Sequence, residues 1–417
     1  MVPKLRFPEF VGHPLQDVRL ADATAESTER NGAGQATSQI MGVSKVEGIV
    51  PMEERIVAAD TTRYKFVRKD WFAYNPMRLN IGSIARWQGD DDILVSPDYV
   101  VFKCKGAGPH RLDPVYLDHF RRSDAWEEFV SEKGDGSVRV RIYYKDLAHL
   151  QLALPSFPEQ QKVADCLDSA DALIAAQGRK VETLKAHKKG LMQQLFPREC
   201  ETKPRLRFPE FEESGEWRFV ELGNLLKASP DYGVSAAAVP YDEDLPKYLR
   251  ITDIAEDGRY LKENKVSVDI TPTRGDYLEE GDIAIARTGA SVGKSYRYRR
   301  EDGQLVFAGF LIRVRPDQRK LVTGFLAHYM ATPQYWDWIS VNSARSGQPG
   351  VNSAELSSLP VPLPADVRLL REQQRIADCL SSLDDLIAIE TRKLDALKTH
   401  KMGLMQQLFP KVGEFDA

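Results

Sequence analysis

The sequence contains few of the residues and segments that define several common classes of protein. Its four cysteines (Cys104, Cys166, Cys200 and Cys379) are scattered and form no Cys-x-x-Cys pair, so we expect neither a disulfide scaffold nor a zinc site. Its apolar runs are far shorter than the roughly 20 residues of a membrane helix. Because "MVPKLRFPEF" contains no apolar secretory stretch, we expect a cytoplasmic protein without a membrane partner.

An excess of basic charge is also missing. The chain has 57 Lys and Arg against 61 Asp and Glu, a formal net charge of −4, so any nucleic-acid binding must come from local patches. The seven histidines show no metal-ligand spacing, and we expect no metal and no cofactor in this chain. The length of 417 residues suggests two or three domains at roughly 150 residues each.

The chain does contain an internal repeat. The segments "EQQKVADCLDSADALIAAQGRKVETLKAHKKGLMQQLFP" (159–197) and "EQQRIADCLSSLDDLIAIETRKLDALKTHKMGLMQQLFP" (372–410) are identical at about two thirds of their positions. The motif "RFPEF" heads each half, at 6–10 and 207–211, and a divergent stretch that we call a variable domain follows it. We predict a first variable domain (1–157), a central helix (158–203), a second variable domain (204–371), and a distal helix with a tail (372–417).

Each long repeat predicts a helix of about 37 residues, roughly 55 Å long, that ends at Phe-Pro. Apolar residues recur in steps of four and three, which is typical of a coiled-coil seam. Polar residues interrupt the seam at matching positions (Gln177, Lys188, Glu390 and Lys401) and are expected to fix its register. We expect the two copies to pair antiparallel; alternatively, each helix packs only on its own domain. The predicted seam residues are Val163, Leu167, Ile174, Val181, Leu184, Leu191, Ile376, Leu380, Ile387, Leu394, Leu397 and Leu404.

Both variable domains mix strand and helix signals. In the second, "GDIAIARTGASVGKSYRYRR" and "QLVFAGFLIRVRP" predict strands, and 324–340 predicts a helix. In the first, "SPDYVVFKCK" and "GSVRVRIYYKDL" predict strands, and 113–129 predicts a helix. The fold class is α+β: two α+β domains in a pseudo-two-fold arrangement, separated by two long helices that form an antiparallel coiled coil.

The stretch "GASVGKS" (289–295) raises the alternative of an ATPase. A phosphate-binding loop needs four residues between its glycines and a following helix, whereas this stretch has three and precedes a strand-like "YRYRR". We therefore predict a glycine turn that leads into a basic, aromatic strand, with Tyr296 and Arg297 on opposite faces. A nuclease is a second enzymatic alternative, since Pro230-Asp231 and Glu263-x-Lys265 fit a loose P-D…E-x-K pattern.

The two "EQQ…ADCL…GLMQQLFP" repeats, the two "RFPEF" motifs, "YLRITDI" (248–254) and "GDIAIARTGASVGKS" together resemble the specificity subunit of a type I restriction-modification enzyme. The resemblance covers essentially the whole chain. It implies that each variable domain is a target-recognition domain for one half of a split site in double-stranded DNA. The first variable domain shows no counterpart of "YLRITDI" or of the glycine loop, and so departs from the second.

The resemblance also implies partners. The helices would set the spacing between half-sites and dock two methyltransferase subunits that methylate adenine with S-adenosylmethionine, and two motor-nuclease subunits would use ATP and Mg²⁺. This chain would direct those activities and catalyse none of them. An adaptor that joins proteins through the coiled coil without reading DNA is a third alternative.

Arginine and amide side chains in or near the predicted strands and loops are candidates for contact with bases and phosphates. We predict DNA contacts from Arg250, Thr252, Arg287, Thr288, Ser291, Lys294, Tyr296, Arg297, Arg345 and Gln348 in the second variable domain. In the first, we predict them from Asn75, Arg78, Asn80, Arg86, Arg139, Arg141 and Tyr143. For partner docking we expect the exposed faces of the repeats, including Lys162, Lys189, Arg375 and Gln406.

Overall fold

The structure, a computed structural model, describes residues 3–32, 39–52, 60–132, 141–198, 201–345, 347–365 and 369–409. The chain divides into two compact units. Unit 1 comprises Met1–Gly178 and Arg392–Ala417, and unit 2 comprises Arg179–Thr391. Each unit therefore contains one variable domain and part of each long repeat.

Unit 1 contains an α+β variable domain. Its strands form two four-stranded sheets, ordered β2-β9-β6-β7 and β4-β3-β8-β5, and a two-stranded sheet in which β1 pairs with β10. Helices α2 and α3 and the start of α5 pack on one core, in which the rings of Phe72 and Phe102 stack at 5.0 Å. The elements are β1 (Gln16–Arg19), α1 (Leu20–Ala23), β2 (Thr24–Glu26), β3 (Ile40–Ser44), β4 (Gly48–Pro51), β5 (Lys65–Val67), β6 (Phe72–Tyr74), β7 (Ile84–Arg86), β8 (Ile93–Val95), β9 (Val100–Cys104), α2 (Pro114–Phe120), α3 (Asp124–Glu132), α4 (Tyr144–Leu147), β10 (Gln151–Leu154) and α5 (Phe157–Leu195).

Unit 2 repeats this architecture. Its sheets are ordered β12-β19-β16-β17 and β13-β15-β14-β18, and β11 pairs with β20. The sheets β2-β9-β6-β7 and β12-β19-β16-β17 share one strand order. The other two sheets each contain a parallel pair, β3 with β8 in the centre of the sheet in unit 1 and β14 with the edge strand β18 in unit 2. The elements are β11 (Trp217–Glu221), β12 (Asp231–Tyr232), β13 (Ala238–Pro240), β14 (Lys247–Leu249), β15 (Val266–Val268), β16 (Ile283–Ala286), β17 (Ser295–Arg297), β18 (Leu305–Phe307), β19 (Leu311–Val314), α6 (Thr323–Tyr329), α7 (Pro333–Asn342), α8 (Ser353–Ser357), β20 (Pro360–Pro364) and α9 (Leu369–Leu408).

Most of the predicted elements are present, with two differences. The helices expected over 113–129 and 324–340 are each broken into two, and in the second case the break falls at the residues before Pro333, where a proline restricts the preceding residue. The strand expected over 136–147 is wrong for 141–147, since 141–143 form no strand and 144–147 form α4. Residues 136–140 lie outside the described residues.

The two repeats form single long helices. Helix α5 has 39 residues and α9 has 40, and each ends directly before its Phe-Pro pair, as predicted. Every predicted seam position is buried or half-buried in both helices, whereas Leu173, one residue before Ile174 of the seam, is 59% exposed. Among the residues that the structure describes, no helix has both the length and the apolar character to span a membrane.

Lysine–carboxylate pairs show how the helices meet within each unit. In unit 2, Lys188 of α5 donates to both oxygens of Asp384 of α9 at 2.6 and 2.7 Å, and Lys180 donates to Glu390 at 2.6 Å. Residue numbers rise along one helix as they fall along the other, so the predicted antiparallel pairing is confirmed there.

Unit 1 contains the same pairing with the two repeats exchanged. Lys401 of α9, which is the repeat equivalent of Lys188, donates to both oxygens of Asp171 of α5 at 2.6 and 2.5 Å. Asp171 in turn is the repeat equivalent of Asp384. Three of the polar residues that interrupt the seam, Lys188, Glu390 and Lys401, therefore form defined ion pairs, which suits a role in fixing its register.

A second duplicated contact anchors each "RFPEF" motif to the start of a long helix. Arg6 donates Nε and Nη2 to Glu159 at 2.8 and 2.6 Å. Arg207 makes the same fork to Glu372, with both distances 2.7 Å. All four side chains are at most 8% exposed, so each pair is a buried, bidentate ion pair.

The rest of the motif contacts the next turn of the helix. Lys162 lies over the ring of Phe7 at 5.1 Å and pairs with Glu9 of the same motif. Arg375 does the same in unit 2, where its guanidinium lies 4.7 Å from the centroid of Phe208 and pairs with Glu210 at 3.3 Å. Lys162 and Arg375, which we expected to face a partner, thus hold segments of their own unit.

Loss of the buried anchor should destabilise unit 2 much more than loss of the exposed one. Arg207→Ala leaves the Glu372 carboxylate buried without its cation, which we expect to lower the free energy of unfolding by about 3–5 kcal/mol. The matched variant Arg375→Ala removes an exposed cation and should cost at most about 1 kcal/mol. Urea unfolding followed by circular dichroism measures both, and equal losses would contradict the assignment of the anchor to the buried pair.

Candidate nucleic-acid interface

A loop of eight residues lies between the last two strands of the β2-β9-β6-β7 sheet in unit 1 and of the β12-β19-β16-β17 sheet in unit 2. It spans 76–83 between β6 and β7 in unit 1, and 287–294 between β16 and β17 in unit 2; we call it the central loop. Both loops carry a glycine in the left-handed region, Gly82 (φ 89°) and Gly293 (φ 88°), two residues before the next strand. In both, the residue before the loop donates its N–H to the carbonyl of the loop's last residue.

The first variable domain therefore does contain a counterpart of the glycine loop, and our expectation that it lacks one is wrong. A sequence signal for it exists: "IGSIAR" (81–86) and "VGKSYR" (292–297) share a branched residue, a glycine and an arginine at fixed spacing. "YLRITDI" begins in β14. Its counterpart in unit 1 is β3, because β14 pairs in parallel with β18 and β3 pairs in parallel with β8. These partner strands directly precede β19 and β9 in the chain.

The central loop of unit 2 does not have the geometry of a phosphate-binding loop. Ser295 begins strand β17, which pairs antiparallel with β16, so no helix follows the glycine. The Lys294 ammonium donates to Glu256 at 2.5 Å. The nuclease pattern is also unsupported, since Arg313 occupies both carboxylate oxygens of Asp231 at 3.1 and 2.5 Å.

Helix α7 holds the central loop of unit 2 in place. The hydroxyl of buried Tyr335 donates to the carbonyl of Gly293 at 2.7 Å. A Cβ at position 293 would lie 2.9 Å from the Cγ2 of Ile339, so the loop approaches the helix closely. Both the positive φ and this approach require glycine.

A second segment lies beside each central loop, directly before α4 or α8. We call it the pre-helix segment (141–143 in unit 1, 347–352 in unit 2). Ile142 N–H donates to the Pro76 carbonyl at 2.9 Å, and Val351 N–H donates to the Arg287 carbonyl at 2.9 Å. Each variable domain thus presents a pair of adjacent segments, and most of the predicted contact residues lie on or near these pairs.

In unit 2 the central loop and the pre-helix segment bring Arg287, Thr288 and Gln348 together. Thr288 bridges to Gly350 of the pre-helix segment. Gly289 lies so close to Gln348 that an added Cβ would be 2.8 Å from its amide nitrogen. Arg287 is half-buried and its guanidinium carbon lies 4.7 Å from the centroid of the Tyr232 ring. Sequence reasoning missed Tyr232, which no spacing pattern marks.

In unit 1 the central loop and the pre-helix segment present two exposed arginines and an exposed tyrosine. Arg78, Arg141 and Tyr143 are exposed, and neither arginine forms an ion pair or side-chain hydrogen bond with any residue in the described part of the chain. Asn75 directly precedes the loop and accepts a hydrogen bond from the Met77 N–H at 3.0 Å. Arg139 lies outside the described residues.

Other predicted residues lie beside a cleft in each unit. Arg86 and Asn80 line a cleft of about 1060 Å³ in unit 1, and Lys294 and Arg297 line one of about 1090 Å³ in unit 2. Arg86 and Arg297 are equivalent, because they oppose the first residues of β6 and β16. Burial lowers the pKa of Arg297, and the nearby Arg299 lowers it further.

The predicted DNA contact of Tyr296 is wrong for this structure. Its side chain is fully buried and donates its hydroxyl to Asp302 at 2.8 Å. Burial raises the pKa of Tyr296, and the bond to Asp302 adds to the shift. The residue faces the core because β17 packs one face on buried strands, while its neighbours Ser295 and Arg297 point the other way.

The fold itself accounts for two more predicted arginines. Arg250 forks onto the buried carboxylate of Asp253 at 3.0 and 2.8 Å. Arg345 donates to the Asn342 carbonyl at the end of α7 and pairs with Glu355. Thr252 is exposed, and Ser291 is half-buried in the central loop.

Among the described residues, one group of three side chains has the spacing of a metal site: His119, Asp168 and Asp171. His119 Nε2 lies 2.8 Å from Asp168 Oδ1. The Lys401 ammonium already contacts both oxygens of Asp171, so helix pairing explains the group. Burial lowers the pKa of His119, which the bond to Asp168 opposes.

These features define a class of protein: two variants of one α+β domain, each with an exposed pair of segments, joined to a duplicated pair of helices. Residues 214–399 match the family described as the type I restriction modification DNA specificity domain. The chain is 24% identical over 365 residues to the putative type I restriction enzyme MjaX specificity subunit of Methanocaldococcus jannaschii, covering 85% of this chain and 81% of that protein. It is 22% identical over 323 residues to the StySPI specificity subunit of Salmonella potsdam, covering 75% and 68%. The chain is thus similar to type I restriction enzyme specificity subunits over most of its length, and residues 214–399 match the specificity-domain family.

Solved structures agree on the fold. The type I restriction-modification S subunit from M. genitalium superposes with a TM-score of 0.60 at 13% identity, over 99% of this chain and 100% of that one. A chain from a study of complex assembly and conformational transition of the type I R-M system gives 0.56 at 17% identity, over 97% and 99%. Two sheet-rich domains with long helices are therefore confirmed.

The glycine of the central loop provides a stability test. Gly293→Ala forces a side chain into the left-handed region and against Ile339, and we expect a loss of about 2 kcal/mol in the free energy of unfolding. Gly347→Ala is the matched control, because that position is open, and it should change stability by less than about 0.5 kcal/mol. Chemical unfolding of the full chain measures both variants, and an unchanged stability in Gly293→Ala would contradict the described loop.

Proposed function

We propose that each variable domain reads one half of a bipartite, asymmetric DNA site, and that the paired helices set the distance between the halves. One observation carries this proposal: the two domains share a topology but present different chemistry at equivalent positions. Pro76 of unit 1 corresponds to Arg287 of unit 2, since each carbonyl accepts the bond from the pre-helix segment. One position later in that segment, Tyr143 corresponds to Asn352. Different side chains on one frame suit two different half-sites.

Arginine side chains on the central loops and pre-helix segments support DNA as the ligand. Arg78 and Arg141 in unit 1 and Arg287 in unit 2 carry no carboxylate partner among the described residues, although the whole chain is acidic. Arginine donates a planar fork that matches guanine O6 and N7 or a phosphate. Two half-sites read on one face of the duplex would lie roughly one helical turn apart, about 34–36 Å.

We further propose that the outer faces of the helices dock two methyltransferase subunits. Support comes from the repeat, since an approximate two-fold scaffold presents the same surface twice and so recruits two copies of one partner. His187 and His400 are exposed at equivalent repeat positions, and Lys189 and Gln406 are exposed on the same helices. S-adenosylmethionine, ATP and Mg²⁺ would then be bound by the methyltransferase and motor-nuclease partners, and this chain would supply the specificity.

Substitutions in the two domains should affect different halves of the site. Assembled with the methyltransferase, Arg287→Ala should lose about 1–3 kcal/mol of discrimination at one position of one half-site. The double variant Arg78→Ala with Arg141→Ala should affect only the other half. Methylated-adenine mapping identifies the site, and binding to duplexes mutated in each half measures the effect.

Arg319→Ala is the matched control, because that exposed arginine pairs with Asp317 away from the pairs of segments, and it should leave both halves unchanged. If both domain variants weaken both halves equally, the assignment of one half-site to each domain is wrong. If the assembled complex binds all duplexes alike, the chain does not read DNA and the adaptor alternative holds.

A further inference from the structure

Three residues lie at one end of the β12-β19-β16-β17 sheet in unit 2. Tyr232 ends β12, Arg287 directly follows β16, and Phe310 directly precedes β19. Arg287 lies opposite Phe310, because the Arg287 N–H donates to the Phe310 carbonyl at 3.0 Å and continues the pairing of β16 with β19. The guanidinium of Arg287 lies over the ring of Tyr232 at 4.7 Å.

The arginine of this cluster is oriented but unpaired. Its Nε is buried without a hydrogen-bond partner, and no described carboxylate pairs with its guanidinium. The Tyr232 ring beneath it is itself fixed, because its hydroxyl accepts the N–H of Ser353 at 3.0 Å. Stacking on a ring leaves the edge of a guanidinium free to donate. Arg287 is thus a prepositioned donor that has no acceptor among the described residues.

Phe310 is an exposed ring on a rigid backbone. It is 61% exposed, although phenylalanine gains by burial. The backbone around it is held from both sides: Gly309 N–H donates to Val234 at 2.8 Å, and Leu311 N–H donates to Ala308 at 2.8 Å. Folding of the domain does not account for an apolar ring presented in this way.

The shared fold does not require the cluster either. The strand registers place Thr28, Pro76 and Asp98 of unit 1 at the positions of Tyr232, Arg287 and Phe310. The same frame thus carries no ring and no cation at these positions in unit 1. A feature present in one domain alone suits a role in what that domain recognises.

We infer that this cluster reads one base step of the half-site recognised by the second variable domain, an inference that rests on the proposed function. Arg287 donates to O6 and N7 of a guanine in the major groove, and Phe310 packs on the C5-methyl group of the neighbouring thymine. Tyr232 is a positioning residue that acts through Arg287. The half-site therefore contains a guanine beside a thymine, on the same or the opposite strand.

Removal of single groups from the DNA tests the inference. The full chain, assembled with the methyltransferase, is titrated with duplexes of its mapped site in which each thymine in turn is replaced by uracil, which lacks only the methyl group. One replacement beside a guanine should weaken binding about threefold to fivefold, the value of one buried methyl group. In Phe310→Ala the same replacement should cause no further loss. Phe219→Ala, which removes another partly exposed phenylalanine, is the matched control and should respond to uracil as the unmodified chain does.

The positioning role of Tyr232 has its own readout. Tyr232→Leu should weaken preference for the guanine roughly tenfold while leaving the other positions of the half-site unchanged. Tyr232→Phe keeps the ring and should retain most of that preference. A loss of the same size in both variants would overturn the stacking role.

The outcomes separate this inference from the proposed function. If each domain still reads its own half-site but Phe310→Ala and Phe219→Ala behave alike at every thymine, the base-step inference is wrong and the proposed function stands. If no selective binding to a split site is found at all, the proposed function fails. Thermal unfolding and assembly with the methyltransferase confirm that each variant is folded.

Discussion

The antiparallel pairing of one helix with its own repeat is the constraint on which the rest of this chain depends. Each compact unit takes part of both long helices, so neither unit is complete without both repeats. The pairing is made by the same residues twice: the lysine of one repeat holds the aspartate of the other, as Lys188 with Asp384 and Lys401 with Asp171. A charged pair in a helical seam contributes little net stability, but a shifted register would leave its charges unmatched.

Comparison of the two halves separates what the fold needs from what recognition needs. The arginine of "RFPEF" and the glutamate that begins each long repeat form a buried ion pair in both units, with distances that agree to about 0.1 Å. The next residue of the repeat is duplicated too: Gln160 and Gln373 each accept a backbone N–H at 2.8 Å from the start of the preceding short helix, α2 in unit 1 and α6 in unit 2. By contrast, the central loop and pre-helix segment of unit 1 differ from those of unit 2 at almost every position. The duplicated contacts build the scaffold, and the differing ones suit the specificity that we propose for the two domains.

The helical part of the fold could be predicted from the sequence because burial along a helix repeats with a fixed period. The seam positions follow from that period, the two helix ends follow from the Phe-Pro pairs, and the antiparallel pairing is expected from the presence of two copies in one chain. Contacts between distant residues leave no such pattern: nothing near Arg6 indicates that Glu159 is its partner. Short strands are harder still, since a three-residue strand such as β17 shows too little alternation to reveal that Tyr296 faces the core. The central loop of unit 1 escaped detection because it shares only a branched residue, a glycine and an arginine with its counterpart.

The site was predicted in part for a related reason. The predicted contact residues Arg287, Thr288 and Gln348 lie together, whereas Arg250 and Arg345 have partners within the fold. A sequence shows which residues carry charge but not which charges are already compensated. Tyr232 contributes through stacking, and its role becomes visible only when the strands are assembled.

The central claim is that the paired helices set the distance between two reading domains. Deletion of one heptad from each helix at matching repeat positions, 176–182 and 389–395, preserves the seam and shortens each helix by about 10 Å. Methylation mapping of the assembled complex then measures the spacer between half-sites. The account predicts that both half-sites are retained and that the spacer shortens by about three base pairs, since 10 Å spans about three steps of 3.4 Å. An unchanged spacer, with both half-sites still methylated, would contradict it.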